Sequence, residues 1–209
     1  MKKFFNAVLW LIGVNFVFFL ASNVLIFSNP DYIKYIAFSP DNFVHGQYLW
    51  TLITSMFMHA GVAHLFVNMF SLLFLGQFLE RLIGSKRLLG IYFISGLIAS
   101  LFYVLFAYLF NQNPAIYAVG ASGAIFGLAG MLAILTPKLP VYIFFIPIAM
   151  PMWFGVILIL MVMWIFSALA NVPIGNAAHL GGLVTGIIYA LYLKNKHKRK
   201  ARIIADFYK

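Results

Sequence analysis

The sequence predicts an all-α membrane protein: a bundle of six transmembrane helices with both termini cytoplasmic and a long outer first loop that carries interfacial helices. Three observations carry this reading. The 209 residues are 64% hydrophobic and 18% aromatic but only 9% charged, with a strongly positive mean hydropathy, which excludes an ordinary soluble domain. Apolar runs recur at about 4–27, 63–78, 88–110, 121–135, 153–169 and 177–193, several of them near the roughly 20 residues needed to cross a bilayer core. With the N-terminus cytoplasmic, thirteen of the fourteen Lys and Arg residues fall on one side and only Lys34 on the other, as the positive-inside rule requires. A net charge of +10 therefore reports topology in the plasma membrane, not nucleic-acid binding.

The first span follows Lys2 and Lys3 with no small-residue cleavage site behind it, so a retained helix is expected and not a removed signal peptide. The outer connection from Ser28 to about Gly61 is long and rich in Phe, Tyr and Trp. That composition suits short helices lying in the membrane interface. Glu80, Arg81, Lys86 and Arg87 mark the inner turn between the second and third spans. Proline-broken residues 140–152, PVYIFFIPIAMPM, are too short to span and are expected to lie irregularly at the cytoplasmic surface before the fifth helix. The remaining outer loops, NQNPAIY and NVPIGN, are short and uncharged, which suggests covers that are easily displaced. One membrane domain over 1–209 is expected, with a core at 50–193 and a basic cytoplasmic tail at 194–209.

Ionisable groups inside spans cost roughly 2.5–3.5 kcal/mol on insertion scales, so those present are functional candidates. The chain has four carboxylates, Asp31, Asp41, Glu80 and Asp206, none of them mid-span, and no cysteine. Those counts exclude an aspartyl dyad, a His-Glu-x-x-His metalloprotease and a thiolate nucleophile. His59, His64 and His179 lack the acidic or thiolate partner that a metal site prefers, so neither metal nor cofactor is expected. A serine nucleophile with a neutral histidine as its base remains.

Depth identifies the pair. Ser122 stands 14 residues before Thr136, and His179 15 residues before Lys194, or roughly 21 and 22 Å at the helical rise. Asn68 and His64 lie roughly 20 and 26 Å from Arg81 on the same measure. All four therefore sit in the outer half of a core about 30 Å thick, where water must reach them from outside. Laterally, Gly123 and Gly127 beside Ser122, and Gly182 and Gly186 on the His179 face, make small-x-x-x-small strips that let backbones approach. Packing alone also uses such strips; it is their coincidence with a serine and a histidine at one depth that points to chemistry. His64 and Asn68 share a helix face. Together with the Ser122 backbone N–H they could donate to the oxyanion of a tetrahedral intermediate, or simply bridge helices.

The motifs G-x-S-G at Gly120–Gly123, A-H-x-x-G-x-x-x-G at Ala178–Gly186, H-x-x-x-N at His64–Asn68 and Gly76-x-x-x-Glu80 resemble, in order and spacing, those of rhomboid intramembrane serine proteases, in the minimal six-helix prokaryotic form. The resemblance covers about Trp50 to Leu193. It implies Ser122 as nucleophile, His179 as general base and then acid, and His64, Asn68 and the Ser122 amide as the oxyanion hole. Gly120 would leave room for the substrate backbone, His59 would be structural, and Glu80 with Gly76 would pin the inner end of the second helix. Two positions depart from the family pattern. The first-loop Trp-Arg pair is Trp50-Thr51, so what the arginine anchors must be held otherwise. Where many members have a tyrosine to stack on the catalytic histidine, Phe126 keeps the ring without the hydroxyl. The expected activity is endopeptidase cleavage of transmembrane protein substrates within the lipid bilayer. The rivals are an inactive rhomboid-like protein that binds client helices, and a small transporter.

Overall fold

The computed structural model describes residues 6–143, 146–170 and 175–198. Lys2, Lys3, residues 171–174 of the NVPIGN loop and residues 199–209 of the basic tail lie outside the described residues. Helix α1, Ala7–Ser28, begins where the Asn6 side chain accepts from the Leu9 N–H, and ends at extended Asn29. The Asn29 side chain then accepts from the Asp31 N–H and opens a 3-10 helix at Pro30–Tyr35. Two short helices follow, α2 at Pro40–Val44, capped by Ser39, and α3 at Thr51–Thr54. These are the short helices the aromatic loop led us to expect.

Helix α4, Val62–Ser71, runs through a π-helical stretch, Leu72–Gly76, into α5, Gln77–Ile83. Together they form one apolar rod of 22 residues. Gly84, at φ +84, takes a left-handed turn that favours glycine and releases the chain into α6, Ser85–Leu109. Then come α7, Ser122–Leu135, α8, Met152–Ala170, and α9, Asn176–Lys196.

Five helices are long and apolar enough to cross a membrane, counting α4–α5 as one. The fourth of the six expected spans, α7, has only 14 residues, roughly 21 Å, which is short of a bilayer core. Its surroundings explain this. Every residue from Gly123 to Leu132 is buried by protein, so α7 meets other helices on all sides and has no need to match lipid thickness. Residues 140–152 are not wholly irregular: strands β1, Pro140–Val141, and β2, Met150–Pro151, pair antiparallel, a departure from an all-helical chain.

The long first loop is stitched to the segment that leads into α7. Phe38 and Ala118 exchange backbone hydrogen bonds of 3.1 and 2.7 Å, and the Asp41 N–H donates to the Pro114 carbonyl at 3.0 Å. Ser39 Oγ reaches the same carbonyl, and Tyr103 Oη donates to that of Ile116. The NQNPAIY loop is therefore tied down, contrary to the expectation of an easily displaced cover, because its Pro114 carbonyl takes two donors from the first loop and its Ile116 carbonyl one from α6.

Candidate active site

The first turns of α4, α7 and α9 converge. Ser122 is the first residue of α7, and the first N–H groups of a helix have no intrahelical partner; they also carry the positive end of its dipole. His179 lies in the first turn of α9 and is 4% exposed. Its Nε2 is 2.8 Å from Ser122 Oγ, and its ring stacks on Phe126 with centroids 4.7 Å apart and planes at 26°. The missing tyrosine hydroxyl therefore leaves the stack intact.

The glycine strips bring the two helices this close. A Cβ on Gly182 would overlap the Gly123 carbonyl, and one on Gly186 the Gly127 carbonyl. The contact is backbone to backbone, about one and two turns beyond His179 on α9, and beside Ser122 and then about one turn beyond it on α7. On the other side of α7, a Cβ on Gly123 would lie 2.6 Å from Ala99 Cβ, so α6 presses on that face.

Gly120 has φ +119, and a Cβ there would come 2.9 Å from His64 Nε2 and 3.8 Å from Ser122 Oγ. Its glycine is needed twice, for the backbone and for the space. The Ala60 N–H donates to His64 Nδ1 at 3.4 Å, which leaves the neutral ring's proton on Nε2, facing Gly120 and Ser122. Asn68 lies one turn on and is 5% exposed. Its Nδ2 donates to the His64 carbonyl at 2.8 Å, within its own helix and not toward Ser122. The geometry thus gathers Ser122, His179, His64, Gly120 and Phe126, while Asn68, one turn beyond His64, has one donor engaged within its own helix.

His59 is 2% exposed, with Nδ1 3.3 Å from the Phe57 carbonyl and its ring edge-on to His64 at 5.1 Å. Burial first, and then His64, lower its pKa to about 4 against the pull of the Phe57 carbonyl. Trp50 Nε1 donates to the Tyr35 carbonyl at 2.9 Å, Thr51 Oγ1 to that of Tyr48, and Thr54 Oγ1 to that of Ile36 at 2.8 Å. These bonds hold the loop at the point where an arginine is absent.

Glu80 does more than pin its own helix. Its carboxylate accepts from the Ala7 N–H at 2.8 Å, the Val8 N–H at 3.2 Å and Ser85 Oγ at 2.6 Å, capping α1 and clasping the start of α6. Gly76 serves the same junction, since a Cβ there would sit 3.0 Å from Val8 Cγ2. Sequence reasoning missed Ser55, whose carbonyl accepts the Gly120 N–H at 2.9 Å. A backbone acceptor leaves no side-chain signature to read.

Fold and site define a multi-pass helical membrane protein in which a serine hydroxyl on one helix contacts an imidazole on another. The rhomboid domain model matches residues 46–196, and the chain belongs to the rhomboid family. RHOMBOID-like protein 1 of Arabidopsis thaliana is 37% identical over 147 residues, 69% of this chain and 34% of that protein. RHOMBOID-like protein 6, mitochondrial, of the same plant is 36% identical over 152 residues, 72% of this chain and 45% of that protein. The plant's Inactive RHOMBOID-like protein 8 is 42% identical over 82 residues, 39% of this chain and 22% of that protein. The chain thus spans less than half the length of each of these relatives.

Proposed function

We propose that the chain is an intramembrane serine endopeptidase that cleaves transmembrane segments of membrane proteins near their outer end. The single observation that carries this is the 2.8 Å contact between Ser122 Oγ and His179 Nε2, made by two membrane helices beside unpaired helix N–H groups. Nε2 takes the hydroxyl proton as Oγ bonds to the scissile carbonyl carbon. The carbonyl oxygen becomes an oxyanion that accepts from the Ser122 N–H and from His64 Nε2–H, with Asn68 as a third donor once its amide turns from the helix. Each such donor is typically worth about 10²–10³ in rate. As the intermediate collapses, the C–N bond breaks and the imidazolium returns its proton to the leaving amine. Water then attacks the ester on Oγ, giving a proton to His179; as that second intermediate collapses the C–Oγ bond breaks, the imidazolium returns the proton to Oγ, and the acid is released.

Peptide bonds within a hydrogen-bonded helix are poorly exposed, so segments with helix-breaking Gly or Pro and a small residue at the cut are the expected substrates. The basic residues favour a plasma-membrane location with cytoplasmic termini and the site open to the outside. One relative's name places that protein in mitochondria, and the same fold would serve there.

Cleavage of a model substrate in proteoliposomes, with the cut mapped by mass spectrometry and Ser122 labelled by a fluorophosphonate, tests the proposal. Wild type cleaves and labels, and Ser122→Ala does neither. Undiminished cleavage by that variant sinks the mechanism. A relative named inactive favours a second reading, client binding without hydrolysis, which predicts a wild-type chain that never labels.

A further inference from the structure

His179 is fixed on three sides, yet one of its nitrogens is left over. Phe126 holds the ring plane, the 3.0 Å bond from the His179 N–H to the Gly175 carbonyl closes the first turn of α9, and Nε2 faces Ser122. If Nε2 is to receive the serine proton, the neutral ring must carry its own proton on Nδ1. That Nδ1 is buried and without a hydrogen-bond partner among the described residues. A buried donor without an acceptor loses its hydration and gains nothing in return. It also leaves nothing to favour the working tautomer over the one that cannot accept from serine.

In the same turn a complementary atom is also unpaired. Asn176 Oδ1 is buried and has no partner among the described residues. Residues three apart on a helix face each other with Cβ atoms about 5–6 Å apart, within reach of a side-chain rotation or one bridging water. Among the described residues no carboxylate competes for the position: Asp31 and Asp41 lie in the first loop, and Glu80 is engaged with α1 and α6. Hydrogen bonds around a reacting group are often open before substrate arrives and tighten in the complex.

We infer that Asn176 is the positioning residue of the site: its Oδ1 accepts from His179 Nδ1–H, selects the tautomer whose Nε2 takes the Ser122 proton, and steadies the imidazolium that follows. This rests on the Ser122–His179 mechanism proposed above. An amide suits the depth, because a carboxylate there would have to be desolvated whenever the imidazole is neutral. Ser122, His179 and Asn176 then form an uncharged counterpart of the serine triad, analogous to the Cys-His-Asn arrangement of papain-like enzymes.

The test measures the fluorophosphonate labelling rate at Ser122, together with kcat and KM on a model transmembrane substrate, for the full chain in proteoliposomes. Asn176→Ala should lower the labelling rate and kcat by about 10- to 100-fold, the range for a hydrogen bond to a developing charge, with KM within about twofold. Asn176→Gln, which keeps a neutral amide acceptor on a longer arm, should recover part of that loss. A wild-type rate in Asn176→Ala, or a Gln variant as slow as the Ala variant, overturns the inference while leaving the dyad intact. A wild type that never labels overturns both. Should Asn176→Ala fail to fold, imidazole ¹⁵N NMR of the wild type decides: a hydrogen-bonded proton on His179 Nδ1 supports the assignment, and a proton on Nε2 refutes it.

Discussion

Gly182→Ala is the sharpest probe of how the site is assembled. The added methyl would lie 2.8 Å from the Gly123 carbonyl carbon and 3.4 Å from its Cα, and would overlap the carbonyl oxygen itself. Backbone cannot rotate away as a side chain can, so α9 must part from α7 by about 1 Å or more to restore a carbon–oxygen contact of about 3.3 Å. His179 is three residues earlier on the same face. A parting of that size carries the 2.8 Å Ser122–His179 bond beyond hydrogen-bond range. A misplacement of about 1 Å costs around 10²-fold in rate, while overpacking of this kind costs about 1–3 kcal/mol in stability. The assay pairs fluorophosphonate labelling with thermal unfolding in detergent, and Gly90→Ala on α6 is the control. Gly90 has no atom within 4 Å of the added methyl, so alanine there should be neutral or should stabilise by up to about 1 kcal/mol. Wild-type labelling and melting in Gly182→Ala would refute the claim that backbone contact sets the dyad distance.

Two further outcomes follow from groups away from the serine. Glu80→Gln removes the charge that two α1 N–H groups and Ser85 address, and should cost about 1–3 kcal/mol of stability. The position lies 16 residues from His64, roughly 24 Å along the rod, so labelling at low temperature should persist; a melting temperature equal to wild type would refute the clasp. For His59, burial lowers the folded imidazole's pKa to about 4, against 6.5 for an unfolded one. Between those values the unfolded state binds more protons, so stability rises with pH there and is lost as pH falls, by on the order of 3 kcal/mol in full. His59→Asn should flatten that part of the melting profile between pH 6.5 and 4, and an unchanged slope would exclude His59 as its source.

The site was legible in the sequence wherever function and packing both demanded small or polar residues at fixed spacing. Gly123, Gly127, Gly182 and Gly186 advertise a backbone contact because nothing larger fits, and the structure pairs them in register. Phe126 could be read as a stacking ring for the same reason. What escaped was carried by main-chain atoms. The Phe38–Ala118 exchange and the Ser55 carbonyl that receives Gly120 place no constraint on residue type. Glu80 was recognised as an anchor, but the groups it binds are amides at positions 7 and 8, which any residues there would present. The brevity of α7 was on view in its apolar run; its meaning was not, because enclosure on every side is a property of the bundle.

That enclosure bears on the choice between the proposed hydrolysis and transport. Polar helix ends are expensive in lipid because nothing there satisfies their N–H groups. α7 starts at Ser122 among other helices, so its first N–H groups need not face lipid and can serve the oxyanion of the proposed reaction. A conduit would need polar lining to continue below that point along the α7–α9 interface. Instead, the Gly123 and Gly127 carbonyls abut Gly182 and Gly186 with no room for a methyl group, and the α7 residues from Gly123 to Leu132 carry no polar side chain. Along this interface the backbones therefore pack without a gap just below the serine, which closes that route to passage and is compatible with the reaction proposed above.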